Sequence, residues 1–189
     1  MASIDQNNVL EILGKKIYPG EGVVVNFNIA KLYTTTSVEV PIIIERSKKP
    51  GPVVLMTAGI HGDEVNGVEI VRQIVAKHIN KPVKGTIICI PIINIFGFLN
   101  MSRDFPDGRD LNRVFPGSKT GSLASRFAYQ FVKKILPVAD FCLDFHTGGA
   151  SRFNAAQIRV KKGDKESIEY AKIFNAPFTI HSKTITKSF

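Results

Sequence analysis

The sequence has no uninterrupted apolar run long enough to cross a bilayer, so a membrane-spanning role is not expected. The opening residues, MASIDQNNVLEILGKK, lack a basic leader followed by an apolar segment, and no signal peptide is read there. Cysteine is scarce. Cys89 and Cys142 both fall inside apolar, strand-like runs, which points to small buried hydrophobes in a reducing, cytoplasmic setting rather than to a disulfide or a metal role. Internal repeats and low-complexity tracts are absent. Histidine is scarce too: four in 189 residues, so the position of each one carries weight.

What is present is globular. Apolar residues make up 44% and charged residues 22%, enough to bury a core and too mixed for disorder, in a chain the size of one domain. Lys and Arg number 25 against 16 Asp and Glu, a net charge of +9. Such a charge suits nucleic acid or a small acidic molecule. The basic residues are scattered and no aromatic-interleaved stripe accompanies them, so no nucleic-acid partner is expected and a small acidic substrate is. The residues do not set the oligomeric state, and a homo-oligomer stays open.

Two parts follow from the pattern: a β-rich N-terminal segment, 1–49, and an α/β domain, 50–189. In the first, GEGVVVNFNIAKLYTTTSVEVPIIIERSKK alternates polar and apolar residues and is rich in Val, Ile and Thr. Val53 to Ala58 is a continuous apolar run, as in a strand covered on both faces. Glu64 to Ile79 carries apolar residues at helical spacing, and Gly85 to Ile93 is a second buried strand. The result is a strand–helix–strand unit with a parallel pair, right-handed by the usual rule. Asn94 to Gly117 is loop-rich, and a loop of that length is more often functional than idle. Ser122 to Leu136 is an amphipathic helix that Ser122 caps, Val138 to Phe145 a third buried strand, and Gly163 to Phe174 helical. The last residues, PFTIHSKTITKSF, read as a strand that breaks off. The fold class is α/β, with a mixed, largely parallel central sheet and flanking helices.

In open α/β sheets, ligands gather at the carboxyl ends of the strands. His61 follows one such strand and His146 another, so both reach the same edge although far apart in sequence. Glu64, in the first helical turn, faces the same point. Two imidazoles and a carboxylate with a fourth position open are the donor set of a catalytic zinc site. Singly, each fits a plainer role: a turn histidine, a helix N-terminal carboxylate, a strand-end histidine. Their joint placement, with glycines beside both histidines, favours one Zn2+ per chain on His61, Glu64 and His146. Asp144 shares a strand face with His146 and is a candidate for orienting it. His78, in the last turn of a helix, and His181 have no ligand pattern around them.

The long loop holds Arg103, Arg109, Asn112 and Arg113. Guanidinium groups grip carboxylates bidentately, and an Asn amide can join them. Asn112 and Arg113 in DLNR are read as substrate ligands. Arg109 is read as a solvated partner of the nearby aspartates. Arg152, Asn154, Gln157 and Arg159 fit a flank of the cleft as well as they fit plain surface.

Taken in order, GIHGDEVNG, RDLNRVFPG and DFHTGG resemble the succinylglutamate desuccinylase and aspartoacylase family, zinc-dependent deacylases related to the zinc carboxypeptidases. The similarity runs from about Val53 to Arg159. It implies zinc on His61, Glu64 and His146, and a substrate carboxylate held by Asn112 and Arg113 with Arg103. It implies a carboxypeptidase-like α/β fold and hydrolysis of the amide of an N-acyl amino acid or similar small substrate. Family members continue past the equivalent of Phe189, into a region that includes a general-base glutamate. Asp164, Glu166 and Glu169 lack that glutamate's context, so the catalytic base is not identified and the C-terminal part of the fold is expected to be missing. A zinc carboxypeptidase acting on short peptides and a zinc-binding fragment without turnover are the alternatives.

Overall fold

A computed structural model describes residues 9–31, 37–150, 152–183 and 187–189. Its centre is a five-stranded mixed sheet in the order β3 (Gly22–Lys31), β4 (Ser37–Arg46), β6 (Thr86–Ile90), β5 (Val53–Ala58), β7 (Phe141–Phe145). Two short strands, β1 (Leu10–Ile12) and β2 (Lys15–Ile17), form a hairpin ahead of it. The segment set apart in the sequence as β-rich thus supplies two strands of the main sheet. Those two strands also correct the expected direction of the sheet. β3–β4 and β4–β6 are antiparallel, while β6–β5 and β5–β7 are parallel, so the sheet is mixed in equal halves rather than largely parallel.

Alternation along the strands decides which helix covers which face. On β4, Val40, Ile42 and Ile44 are buried and point the same way, the period-two pattern of a strand. They join Phe27, Leu55, Ile88 and Ile90 beneath helix α3 (Leu123–Lys134), which contributes Ala124, Phe127, Ala128 and Phe131. The opposite face, with Ala58 and Cys89, packs against Val68 and Val71 of helix α1 (Val65–Ala76). Each fully buried Ile or Phe here contributes roughly 1.5–3 kcal/mol, so the two helices are held by their apolar stripes rather than by local propensity. Ser122 caps α3 as expected, its side chain accepting from Ser125 N.

Several boundaries differ from expectation, each for a local reason. The loop after β6 contains a short helix α2 (Ile95–Leu99), too brief to show a period, capped by Asn94 Oδ1 accepting from Gly97 N at 2.9 Å. β7 starts at Phe141 because Leu136–Val138, with Pro137 inside, forms a 3₁₀ turn first. His78 lies just past α1 with φ of 56°, not in its last turn. Both cysteines are free, but Cys142 is exposed, because β7 is the outer strand of the sheet; only Cys89 is buried. After β7, β8 (Gln157–Lys161), α4 (Lys165–Phe174) and β9 (Phe178–Ser182) make a separate parallel pair bridged by a helix. Asp164 caps α4. The end of the expected last strand, 184–186, lies outside the described residues. Among the described residues no helix is long and apolar enough to cross a membrane.

Candidate metal centre

β5 and β7 are parallel neighbours in register, Thr57 beside Asp144 and Ala58 beside Phe145. The residues just past their carboxyl ends therefore emerge together. The rings of His61 and His146 lie 5.2 Å apart, centroid to centroid. Glu64 stands between them at the N-terminus of α1. Its Oε1 faces His61 Nδ1 at 2.7 Å and its Oε2 faces His146 Nδ1 at 2.9 Å. Gly67 makes this approach feasible: a Cβ at that position would sit 2.6 Å from the carbonyl oxygen of Phe145, so any side chain would push α1 away from the end of β7.

The outer ring nitrogens are held as well. His61 Nε2 meets Asp110 Oδ1 at 3.0 Å, and His146 Nε2 meets Asp144 Oδ2 at 2.7 Å. Thr57, fully buried on β5, donates its hydroxyl to Asp144 Oδ1 at 2.7 Å. Asp144 thus reaches the imidazole with which it shares a strand face. The sequence places Asp110 only among the aspartates near Arg109; its contact with His61 comes from the fold. The one available signal was its place two residues ahead of Asn112: its Oδ1 also caps the 3₁₀ turn Leu111–Arg113 by accepting from Asn112 N at 2.9 Å.

Charge follows from this arrangement. Burial works against ionisation of Glu64, but hydrogen bonds from His146, His61 and the Thr147 N–H hold its carboxyl far below the usual carboxylate range. Burial likewise works against the proton on His146, yet hydrogen bonds to Asp144 and Glu64 outweigh it and raise its pKa to about 10. Asp110 is also lowered: burial opposes this, and Arg103 and His61 overcome it.

The residues fit a divalent cation. One ligand atom from each of His61, Glu64 and His146 lies within 4.8 Å of the other two. Both imidazoles present the same atom, Nδ1, to one carboxylate, and each has its Nε2 fixed by a separate aspartate. Carboxylate-backed histidines are the usual surroundings of a metal ligand. His78 and His181 take no part.

The arginine loop divides. Arg103 reaches the centre: Nε and Nη2 both bond Asp110 Oδ2, at 3.0 and 2.8 Å, and Nη1 lies 3.5 Å from Glu64 Oε1. Its side chain is 41% exposed, so part of the guanidinium stays open to solvent beside the triad. Asn112 is buried, and its Oδ1 accepts from the backbone N–H of Phe189 at 2.7 Å instead of facing the triad. Arg113 bonds the carbonyl of Asn112 and lines an open cavity of about 500 Å³ with Arg109, Pro116, Ser118 and Lys187, to which no triad residue contributes. Arg109 lies 3.8 Å from Asp107, the local pairing expected of it. Of the later cluster, Gln157 bonds Asn154, and none of its members contacts the triad among the described residues.

Comparison with known proteins identifies the family. Residues 50–188 match the model of the succinylglutamate desuccinylase/aspartoacylase catalytic domain. The chain is 31% identical over 150 residues to N-alpha-acetyl-L-2,4-diaminobutyric acid deacetylase of Halomonas elongata, covering 76% of this chain and 44% of that protein. Its fold superposes on an aspartoacylase family protein of Mesorhizobium loti with a TM-score of 0.74 at 30% identity, covering 85% of this chain and 52% of the other. The product-bound ectoine utilization protein EutE of Ruegeria pomeroyi gives 0.72 at 27% identity, covering 89% and 54%. The chain therefore spans about half the length of the relatives it matches. With its fold and sequence both matched, the chain belongs to the succinylglutamate desuccinylase/aspartoacylase family.

Proposed function

We propose that this chain carries the metal centre of a zinc-dependent hydrolase that cleaves the linear amide of an N-acyl amino acid or a similar small, carboxylate-bearing substrate. The observation that carries the reading is the facing of two Nδ1 atoms onto the two oxygens of Glu64, each imidazole backed by its own aspartate. A deacetylase among the relatives, named for an N-acetylated amino acid, supports the substrate class. The family's carboxypeptidase-like core and a cytoplasmic setting belong to the same proposal.

His61, Glu64 and His146 would hold the zinc. A zinc ion there supplies a Lewis acid and a water whose pKa falls toward about 7. The chain's own residues do the rest. Asp110 and Asp144 keep a proton on each Nε2, which leaves each Nδ1 for the metal. Arg103 offers a partly solvent-open cation next to the triad, suited to the substrate's negative charge. Asn112 and Arg113 are further ligands for that charge only if their side chains turn away from Phe189 and from the Asn112 carbonyl. The general base is assigned to no residue here: Glu64, Asp110 and Asp144 are committed to the histidines, Glu166 pairs with Tyr170, and Glu169 pairs with Lys172.

With no base assigned among these five carboxylates, a second reading is zinc binding without turnover by residues 1–189. The experiment is elemental analysis of the purified chain and of His61→Ala, alongside assays of acetate release from N-acetyl amino acids and of amine release from dipeptides. One zinc in the wild type, none in His61→Ala, and hydrolysis of the acyl amino acids support the proposal. One zinc with no hydrolysis supports the second reading. Preference for dipeptides points to a carboxypeptidase. Equal metal in both proteins sinks the site.

A further inference from the structure

Two neighbouring carboxylates hold the loop that follows His146, one at each end. Thr147 donates its N–H to Glu64 Oε2 at 2.8 Å, and Ala150 donates its N–H to Asp63 Oδ2 at 2.9 Å. Between them stand Gly148 and Gly149, which leave the backbone many conformations. Asp63 lies close over this stretch: a Cβ on Gly149 would come within 3.0 Å of its Oδ2. Ala150 has φ of 55°, in the left-handed region that a residue with a Cβ disfavours. Among the described residues, the bond to Asp63 is what restrains it. Asp63 Oδ1, in contrast, is buried without a hydrogen-bond partner among the described residues. Burying one oxygen of a carboxylate carries a desolvation cost.

We propose that Asp63 is a positioning residue for the metal centre: by anchoring Ala150 it fixes the glycine pair and so keeps His146 Nδ1 against Glu64. The inference rests on the metal-site reading above. Asp63 acts through the loop and contacts neither imidazole.

The test compares wild type, Asp63→Ala, Asp63→Asn and the double variant Asp63→Ala with Ala150→Gly. Zinc retention is read by chelator competition, and the site's geometry by the visible absorption of the cobalt-substituted protein. Loss of a residue that orients a metal ligand typically weakens retention roughly 10- to 100-fold, and Asp63→Ala is expected to fall in that range with a changed cobalt spectrum. Asp63→Asn keeps an amide oxygen to accept from Ala150 and should stay close to wild type, as a residue acting only by its charge would not. Ala150→Gly removes the penalty on the left-handed conformation, so the double variant should recover part of the loss.

Wild-type retention and an unaltered cobalt spectrum in Asp63→Ala would overturn the proposal. So would an Asp63→Asn as weak as Asp63→Ala with no rescue by Ala150→Gly. A wild type that retains no metal would instead sink the metal-site reading itself. Amide exchange in the metal-free protein then decides the tether: faster exchange at Thr147 in Asp63→Ala supports it, and unchanged exchange refutes it. Should Asp63→Ala fail to fold, Asp63→Asn and the double variant give the same contrast.

Discussion

The Asp110 carboxylate meets His61 Nε2 at 3.0 Å, across 49 positions of sequence. The same carboxylate takes the Arg103 guanidinium and caps the turn that carries Asn112. One side chain therefore ties the arginine loop to the candidate metal centre. Asp110→Ala should lower zinc retention by roughly 10- to 100-fold, the usual cost of removing a ligand's hydrogen-bond partner. Asp110→Asn still caps the turn but has no charge for Arg103, and should fall between. Chelator competition checks both, with circular dichroism to confirm the fold; undiminished retention in Asp110→Ala would separate Asp110 from the centre.

The unequal legibility of these residues in the sequence has a physical cause. His61 and His146 could be placed because parallel strands deliver their carboxyl ends to one edge, and the continuous apolar runs of β5 and β7 mark such strands. Glu64 followed from its place three positions after His61, where the helix begins. Asp110 could not be singled out, because a loop holding Asp104, Asp107 and Asp110 beside three arginines offers many local pairings, and only the fold selects one. In the same loop Asn112 reaches the core while Arg113 turns outward, a division that spacing alone does not announce. The antiparallel half of the sheet was hidden for another reason: alternation announces strands in residues 9–49 but carries no information on which strand they join.

The metal-free centre should be sensitive to pH, with a definite sign. His146 has its pKa raised to about 10, so near neutrality its imidazole is protonated before metal arrives. Metal must displace that proton from Nδ1. Apparent zinc affinity should therefore climb between about pH 6 and 8.5, approaching tenfold for each unit if one proton is released. Titration calorimetry in buffers of different ionisation enthalpy measures the proton directly. For the metal-free fold, the stabilisation from protonated His146 is fully present below its ordinary value of 6.5 and lost as pH rises toward about 10. Glu64 sets the acid side, since its carboxyl is depressed: its contribution is present above its ordinary value of 4.5 and is lost as acid protonates it. Thermal melts across this range should show a maximum between the two. Metal affinity that does not change with pH would contradict the paired arrangement.

Gly67 sets the separation between α1 and β7. A methyl group there would stand 2.6 Å from the Phe145 carbonyl oxygen, a contact that forces the helix outward. Gly67→Ala should cost about 1–3 kcal/mol, the usual penalty of overpacking, even though alanine favours a helix. Denaturant unfolding of the metal-free protein measures the cost. Because α1 carries Glu64 and β7 leads into His146, the same substitution should also weaken zinc retention. A stabilised variant would show that α1 can give way without loss.

Arg103 and Arg113 make opposite predictions for the metal. Arg103 bonds Asp110 through two nitrogens and borders Glu64, so removing it frees the carboxylate that orients His61. Arg113 bonds only the Asn112 carbonyl among the described residues and faces a cavity away from the triad. Arg103→Ala should therefore lower zinc retention, whereas Arg113→Ala should leave it within experimental error of wild type. Arg103→Lys separates charge from shape: an ammonium keeps the charge but not the planar fork, and should recover only part of the loss. Chelator competition on the three variants reads all of this without any assay of turnover. Equal retention by Arg103→Ala and Arg113→Ala would mean that the contacts of Arg103 do not reach the metal centre, and would leave the substrate's charge as the remaining role for either arginine.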